Sequence, residues 1–128
     1  MPTPKIVLIT TAVPDTCTQA DTQCSVDPTI KAVQDARTKG VVTHVIGLGD
    51  SPNLDLVDTL GYEGYLAQLA NAGVGQPVKM AQDYQFVCQI PAPAATYSAA
   101  SGNAQAHQAF TSDDVKLAVT QILSSICP

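Results

Sequence analysis

The side chains of this 128-residue chain best placed to do chemistry are its four cysteines, Cys17, Cys24, Cys88 and Cys127. An even count suits two disulfides. Cys17 and Cys24 bracket the polar loop CTQADTQC, and closing so short a loop removes roughly 2–3 kcal/mol of unfolded-chain entropy. Cys17–Cys24 with Cys88–Cys127 is one of three possible connectivities. No C-x-x-C pair occurs, and His44 and His107 lack a ligand-like spacing, so zinc is not expected. Disulfides imply an extracytoplasmic setting: periplasm, cell surface or exterior. The apolar IVLIT run is too short for a signal peptide, so any export signal would lie outside this chain.

Three carboxylates, Asp15, Asp21 and Asp27, fall around the cysteine loop. Carboxylate and carbonyl oxygens are what Ca²⁺ takes, but the spacing is not that of an EF-hand. A solvated loop with Asp27 as a helix cap accounts for them more simply, and neither Ca²⁺ nor Mg²⁺ is expected. GLGD, Gly47 to Asp50, follows an apolar run as a phosphate cradle would. It has no third glycine at the required spacing and no following Lys-Ser/Thr pair, so a tight turn capped by Asp50 or Ser51 is the expectation. His44 has no nucleophile and acid at catalytic spacing, and is expected to be a satisfied, partly buried histidine. His107 is expected in a solvated loop. Tyr62 and Tyr65, three apart, read as helix packing. No catalytic constellation emerges, and the chain reads as non-enzymatic. The alternative is a small α/β enzyme or nucleotide-binding domain using the strand ends near Thr10, Thr11 and Asp50.

Composition narrows the partners. The formal net charge is −5 and the pI about 4.5, with no Lys/Arg run, which argues against nucleic acid. No apolar stretch approaches the roughly 18–20 residues of a membrane span. Hydrophobic residues make up 45%, enough to build a core in a single domain of residues 1–128.

The elements that position these residues alternate strand and helix. KIVLIT, residues 5–10, is a β-branched run that suits a strand buried on both faces of a parallel sheet. DPTIKAVQDARTKG reads as a helix with Asp27 as N-cap, Pro28 at its first position and Gly40 as its stop. VVTHVIGLG, 41–49, is a second buried strand. Helical spacing resumes at 54–60 and in EGYLAQLANAG, with a break at Gly61–Gly64 and a stop at Gly73. YQFVCQI, 84–90, is a third candidate strand, with a further one near 95–98. TSDDVKLAVTQILSSIC closes the chain as a helix capped by Thr111 or Ser112, with Asp113 and Asp114 in its first turn. Val115, Leu117 or Ala118, Ile122 and Ile126 are the expected inward residues. The fold class is α/β: a three-layer, Rossmann-like, mainly parallel sheet flanked by helices.

The order of strand, cysteine-bearing loop, helix ending RTKG, strand THVIGLGD and helix resembles the second half of a von Willebrand factor A domain of the secreted bacterial type. The family phrase TDGEPDTC stands here as TTAVPDTC. Its metal-binding Asp aligns with Thr11, its Gly with Ala12 and its Glu with Val13. The family's Asp-x-Ser-x-Ser strand has no counterpart here. The resemblance therefore implies a degenerate metal-ion-dependent adhesion site in a protein-binding, adhesion or self-assembly module. It also implies that Lys5, Ile6, Val7, Leu8, Ile9 and Thr10 form an apolar edge strand, which needs a cover. The expected covers are a second copy, giving a homo-oligomer, a separate protein partner, or residues 84–98 of the same chain.

Overall fold

A computed structural model describes residues 3–10, 26–48, 61–79 and 95–124. Their elements run β1 (Lys5–Thr10), α1 (Val26–Thr38), β2 (Val42–Leu48), α2 (Gly61–Val74), β3 (His107–Ala109) and α3 (Ser112–Ser124). Among the described residues the sheet has three strands in the order β1-β2-β3, all parallel. Lys5 lies opposite Val42 and Thr10 opposite Gly47, while Ile46 lies opposite His107. The α/β, Rossmann-like class is thus present in a small, three-layer form.

β2 forms the centre because its side chains alternate between two cores. Val45 points into one with Val26 and Ile30 of α1 and Leu66 and Leu69 of α2. Ile46 points into the other with Ala109, Ala118 and Ile122. Helices α1 and α2 therefore cover one face and α3 the other. The period-two alternation of a pleated strand produces this division.

Helix α1 ends by a glycine mechanism that the sequence announces. Gly40 has φ +88° and donates to Arg37 O at 2.9 Å, while Val41 donates to Ala36 O at 2.9 Å. These are the two bonds of a Schellman motif. Helix α3 starts with a reciprocal cap. Asp114 N donates to Thr111 Oγ1 at 3.2 Å, and Asp114 Oδ2 accepts from Phe110 N at 2.8 Å and Thr111 N at 3.1 Å. The Phe110 and Thr111 amides hold the Asp114 carboxyl below its ordinary value of 3.8. The cap is intact above that value and weakens as pH falls through the lower folded one. Thr111→Ala should lower stability by about 1 kcal/mol, measured by urea unfolding.

Several expectations are corrected. β1 is not buried on both faces: Ile6 is 48% exposed, Val7 39% and Ile9 46%. It sits at the end of the sheet, whereas α3 packs mainly on β3 and β2. Helix α2 begins at Gly61, so Gly61–Gly64 are themselves helical and any break from the piece expected at 54–60 lies outside the described residues; Gly73 does not stop the helix. Gly73 packs against the Thr43 carbonyl of β2, and the stop is Gly75 with φ +79°. Residues 95–98 are not a strand. His107 is in β3, not in a solvated loop. Leu117 is 58% exposed, so Ala118 and Ile122 are the inward pair of α3. The expected helix at 54–60, the strand at 84–90 and Ile126 lie outside the described residues.

Candidate functional site

The outer edge of β1 is the most distinctive surface among the described residues. In a parallel ladder, alternate residues of a strand turn both N–H and C=O toward the same neighbour. Val42 N donates to Pro4 O at 3.0 Å. With Lys5 opposite Val42, this phase turns the main chain of Pro4, Ile6 and Leu8 toward β2. The N–H and C=O of Val7 and Ile9 then point away from the sheet. No strand among the described residues lies beside them.

Side chains on this edge divide by face. Leu8 packs partly into the core with Val45 and α2, and Ile6 shares that face. Val7 and Ile9 lie on the α3 face, opposite His44 and Ile46. Apolar side chains are thus exposed on both faces of one strand, together with outward main-chain donors and acceptors. That combination is a template for a further strand.

The α3 face also holds His44, with His107 across β2 and Lys5 on β1. The Nε2 atom of His44 is buried and has no hydrogen-bond partner, so this histidine is not satisfied as expected. Burial, then the positive charges of Lys5 and His107, push its pKa below 6.5. Such a group takes up a proton less readily in the fold than in the unfolded chain. Its contribution is present above about pH 6.5 and is lost as pH falls through the lower folded value. Melting temperature should therefore fall on acidification below about pH 6.5, and His44→Phe should flatten that fall.

Asp27 does not cap α1. It is 5% exposed, and its Oδ1 accepts from Ala95 N at 3.0 Å and from Tyr97 Oη at 2.7 Å. This carboxylate latches residues 95–97 onto α1, which leaves it poorly placed as a calcium ligand. Asp27→Ala should cost about 2 kcal/mol by leaving the Ala95 amide unpaired, read as a shift of the urea midpoint. No group of three or more His, Cys, Asp or Glu among the described residues could hold a metal ion. Thr10 lies at the end of β1 opposite Gly47. Thr11, Asp15, Asp21, Asp50, Ser51, Cys17, Cys24, Cys88 and Cys127 lie outside the described residues. Tyr65 is buried at 3%, as packing requires.

A second candidate is a shallow cleft of about 230 Å³ lined by Gln34, Arg37, Thr38, Gly75, Gln76 and Thr96. The Nε of Arg37 is buried there without a hydrogen-bond partner. The cleft lies where α1 and α2 both end, and helix C-termini carry partial negative charge. That field repels an anion and suits the guanidinium itself, so the cleft reads as structural.

Sequence reasoning missed the setting of His107 and the buried amide of Asn71. Three strand residues are too few to show a period, and a lone Asn inside an apolar helix carries no pattern. Comparison finds no match: no protein-family model fits the chain, and neither a curated protein nor a solved structure matches it. No helix among the described residues is long and apolar enough to cross a membrane.

Proposed function

We propose that this chain is a non-enzymatic protein-binding or assembly module that takes a partner strand onto the outer edge of β1. The observation that supports this reading most directly is the exposure of Ile6, Val7 and Ile9 on a strand whose other side is fully paired to β2. Strand addition draws affinity from main-chain hydrogen bonds and selectivity from alternate side chains. The edge supplies both. The resemblance to the von Willebrand factor A family is part of the same proposal, with Thr11 at the position of the lost metal ligand and with disulfides suited to an extracytoplasmic setting.

Photo-crosslinking from a benzophenone side chain at position 7 tests the reading. Adducts with polypeptide should form, and Ile9→Lys should reduce them, since an added charge on an edge opposes pairing. A chain that yields no adduct, and whose melting temperature instead rises with a nucleotide, would move the function to the strand ends near Thr11 and Asp50.

A further inference from the structure

We propose that the strand received by β1 is the β1 of a second copy, paired antiparallel about a two-fold axis with Val7 of each copy facing Ile9 of the other. The proposal rests on the reading of that edge as a strand-accepting surface and names its occupant. In an antiparallel ladder, two facing residues exchange both hydrogen bonds only if each turns its N–H and C=O toward the partner. Val7 and Ile9 both do so, because the Val42–Pro4 bond fixes the phase of the strand. Pairing Val7 with Ile9, and Ile9 with Val7, forms about four main-chain bonds and places Leu8 beside its own copy on the axis. Ile6 then lies against Thr10 of the second copy. All three exposed apolar residues of the strand gain a cross-strand neighbour. The described strands of the two sheets join into one sheet, and the two-fold closes this edge so that the pairing does not propagate.

Charge selects the antiparallel arrangement. The end of the sheet where the strands begin carries Lys5, Arg37 and Lys39. The opposite end carries Asp113 and Asp114 at the start of α3, offset in part by Lys116 one turn on. Lys31 and Asp35, midway along α1, neutralise each other at 2.7 Å. An antiparallel pair sets the basic end of each copy beside the acidic end of the other. A parallel pair would set acid beside acid. Complementary fields of this kind fix orientation more than affinity. A single strand edge covers well under the roughly 1,600 Å² of a standard interface, so the pair is weak and concentration-dependent.

The test combines light scattering with residue-resolved amide exchange by NMR, on the whole chain from about 1 μM to about 1 mM. The expected result is a rise from monomer to dimer mass, with exchange at Val7 and Ile9 slowing at least about tenfold over the same range. Val7→Pro removes an outward N–H and none of the β1–β2 bonds, as edge positions allow. It should keep the wild-type circular dichroism and stay monomeric throughout. The exchange measurement on the unaltered chain decides the matter if that variant does not fold. A monomer with fast exchange at Val7 and Ile9 overturns self-pairing and leaves a different protein as the occupant. A monomer whose Val7 and Ile9 amides are protected even at the lowest concentration overturns self-pairing and the strand-accepting reading together. A dimer that keeps both amides exposed, or survives Val7→Pro, overturns the proposal by placing the contact elsewhere.

Discussion

Gly73→Ala should destabilise the chain by about 3 kcal/mol or more, a large share of the stability of a domain this size. Gly73 lies in the last turns of α2, and a Cβ there would collide with the backbone carbonyl of Thr43 in β2. Because the obstacle is main chain, no rotamer change relieves it. The helix must lift away from the strand instead. Leu66, Leu69 and Ala70 would then withdraw from Val45 in the larger core. Helix propensity works the other way: alanine is favoured over glycine in a helix interior by up to about 1 kcal/mol. A stabilised variant would therefore show that α2 does not press on β2 this closely. The measurement is thermal unfolding, where a loss of about 3 kcal/mol lowers the melting temperature by about 10 °C. As a control, Gly40→Ala has open space around the added methyl but φ +88°. It should cost only about 1 kcal/mol, the penalty of the left-handed conformation.

The contrast between these glycines shows what the sequence made legible. Gly40 stops α1 as a glycine after a basic last turn should, and β1, α1 and β2 follow from apolar runs and caps. Gly73 is also a glycine near a helix end, yet its role is close approach and not termination. Spacing cannot separate the two, because the obstacle at Gly73 lies about thirty residues away in sequence, at Thr43. KIVLIT was ambiguous for a related reason. A β-branched run marks either a central strand or an edge strand awaiting a partner. Only the register to β2 and the position of α3 show that Val7 and Ile9 face outward. Asp27 has the residue type of an N-cap. Its carboxylate is instead held by Ala95 and Tyr97, contacts 68 and 70 residues distant. The candidate edge was therefore legible as residues, while its exposure depended on tertiary placement. Thr11, Asp50 and the cysteines fall outside the described residues and add nothing to that comparison.

Asn71→Leu should cost about 3 kcal/mol despite the gain in hydrophobicity. Asn71 is fully buried in α2. Its Oδ1 accepts from Ala104 N at 2.9 Å, and its Nδ2 donates to Ser101 Oγ at 3.0 Å. Ser101 is also linked to Gln68, and Gln76 Oε1 accepts from Asn103 N at 2.7 Å and Ala104 N at 3.1 Å. One turn of α2 and the residues just after it therefore clamp an irregular segment that has no ladder of its own. Leucine leaves the Ser101 hydroxyl with one partner fewer and the Ala104 amide dependent on Gln76 alone. It also needs space that Gly102 and Gln76 occupy, since Asn71 Oδ1 lies only 2.8 Å from where a Cβ on Gly102 would stand. The clamped segment leads directly into β3, which pairs with β2 over only three residues. Loosening it should release β3 before the rest of the sheet. Amide exchange in residues 101–109 should accelerate more than exchange in β1. Uniform acceleration across β1, β2 and β3 would instead mean that the clamp acts on global stability, and that β3 is held by α3 packing through Ala109 alone.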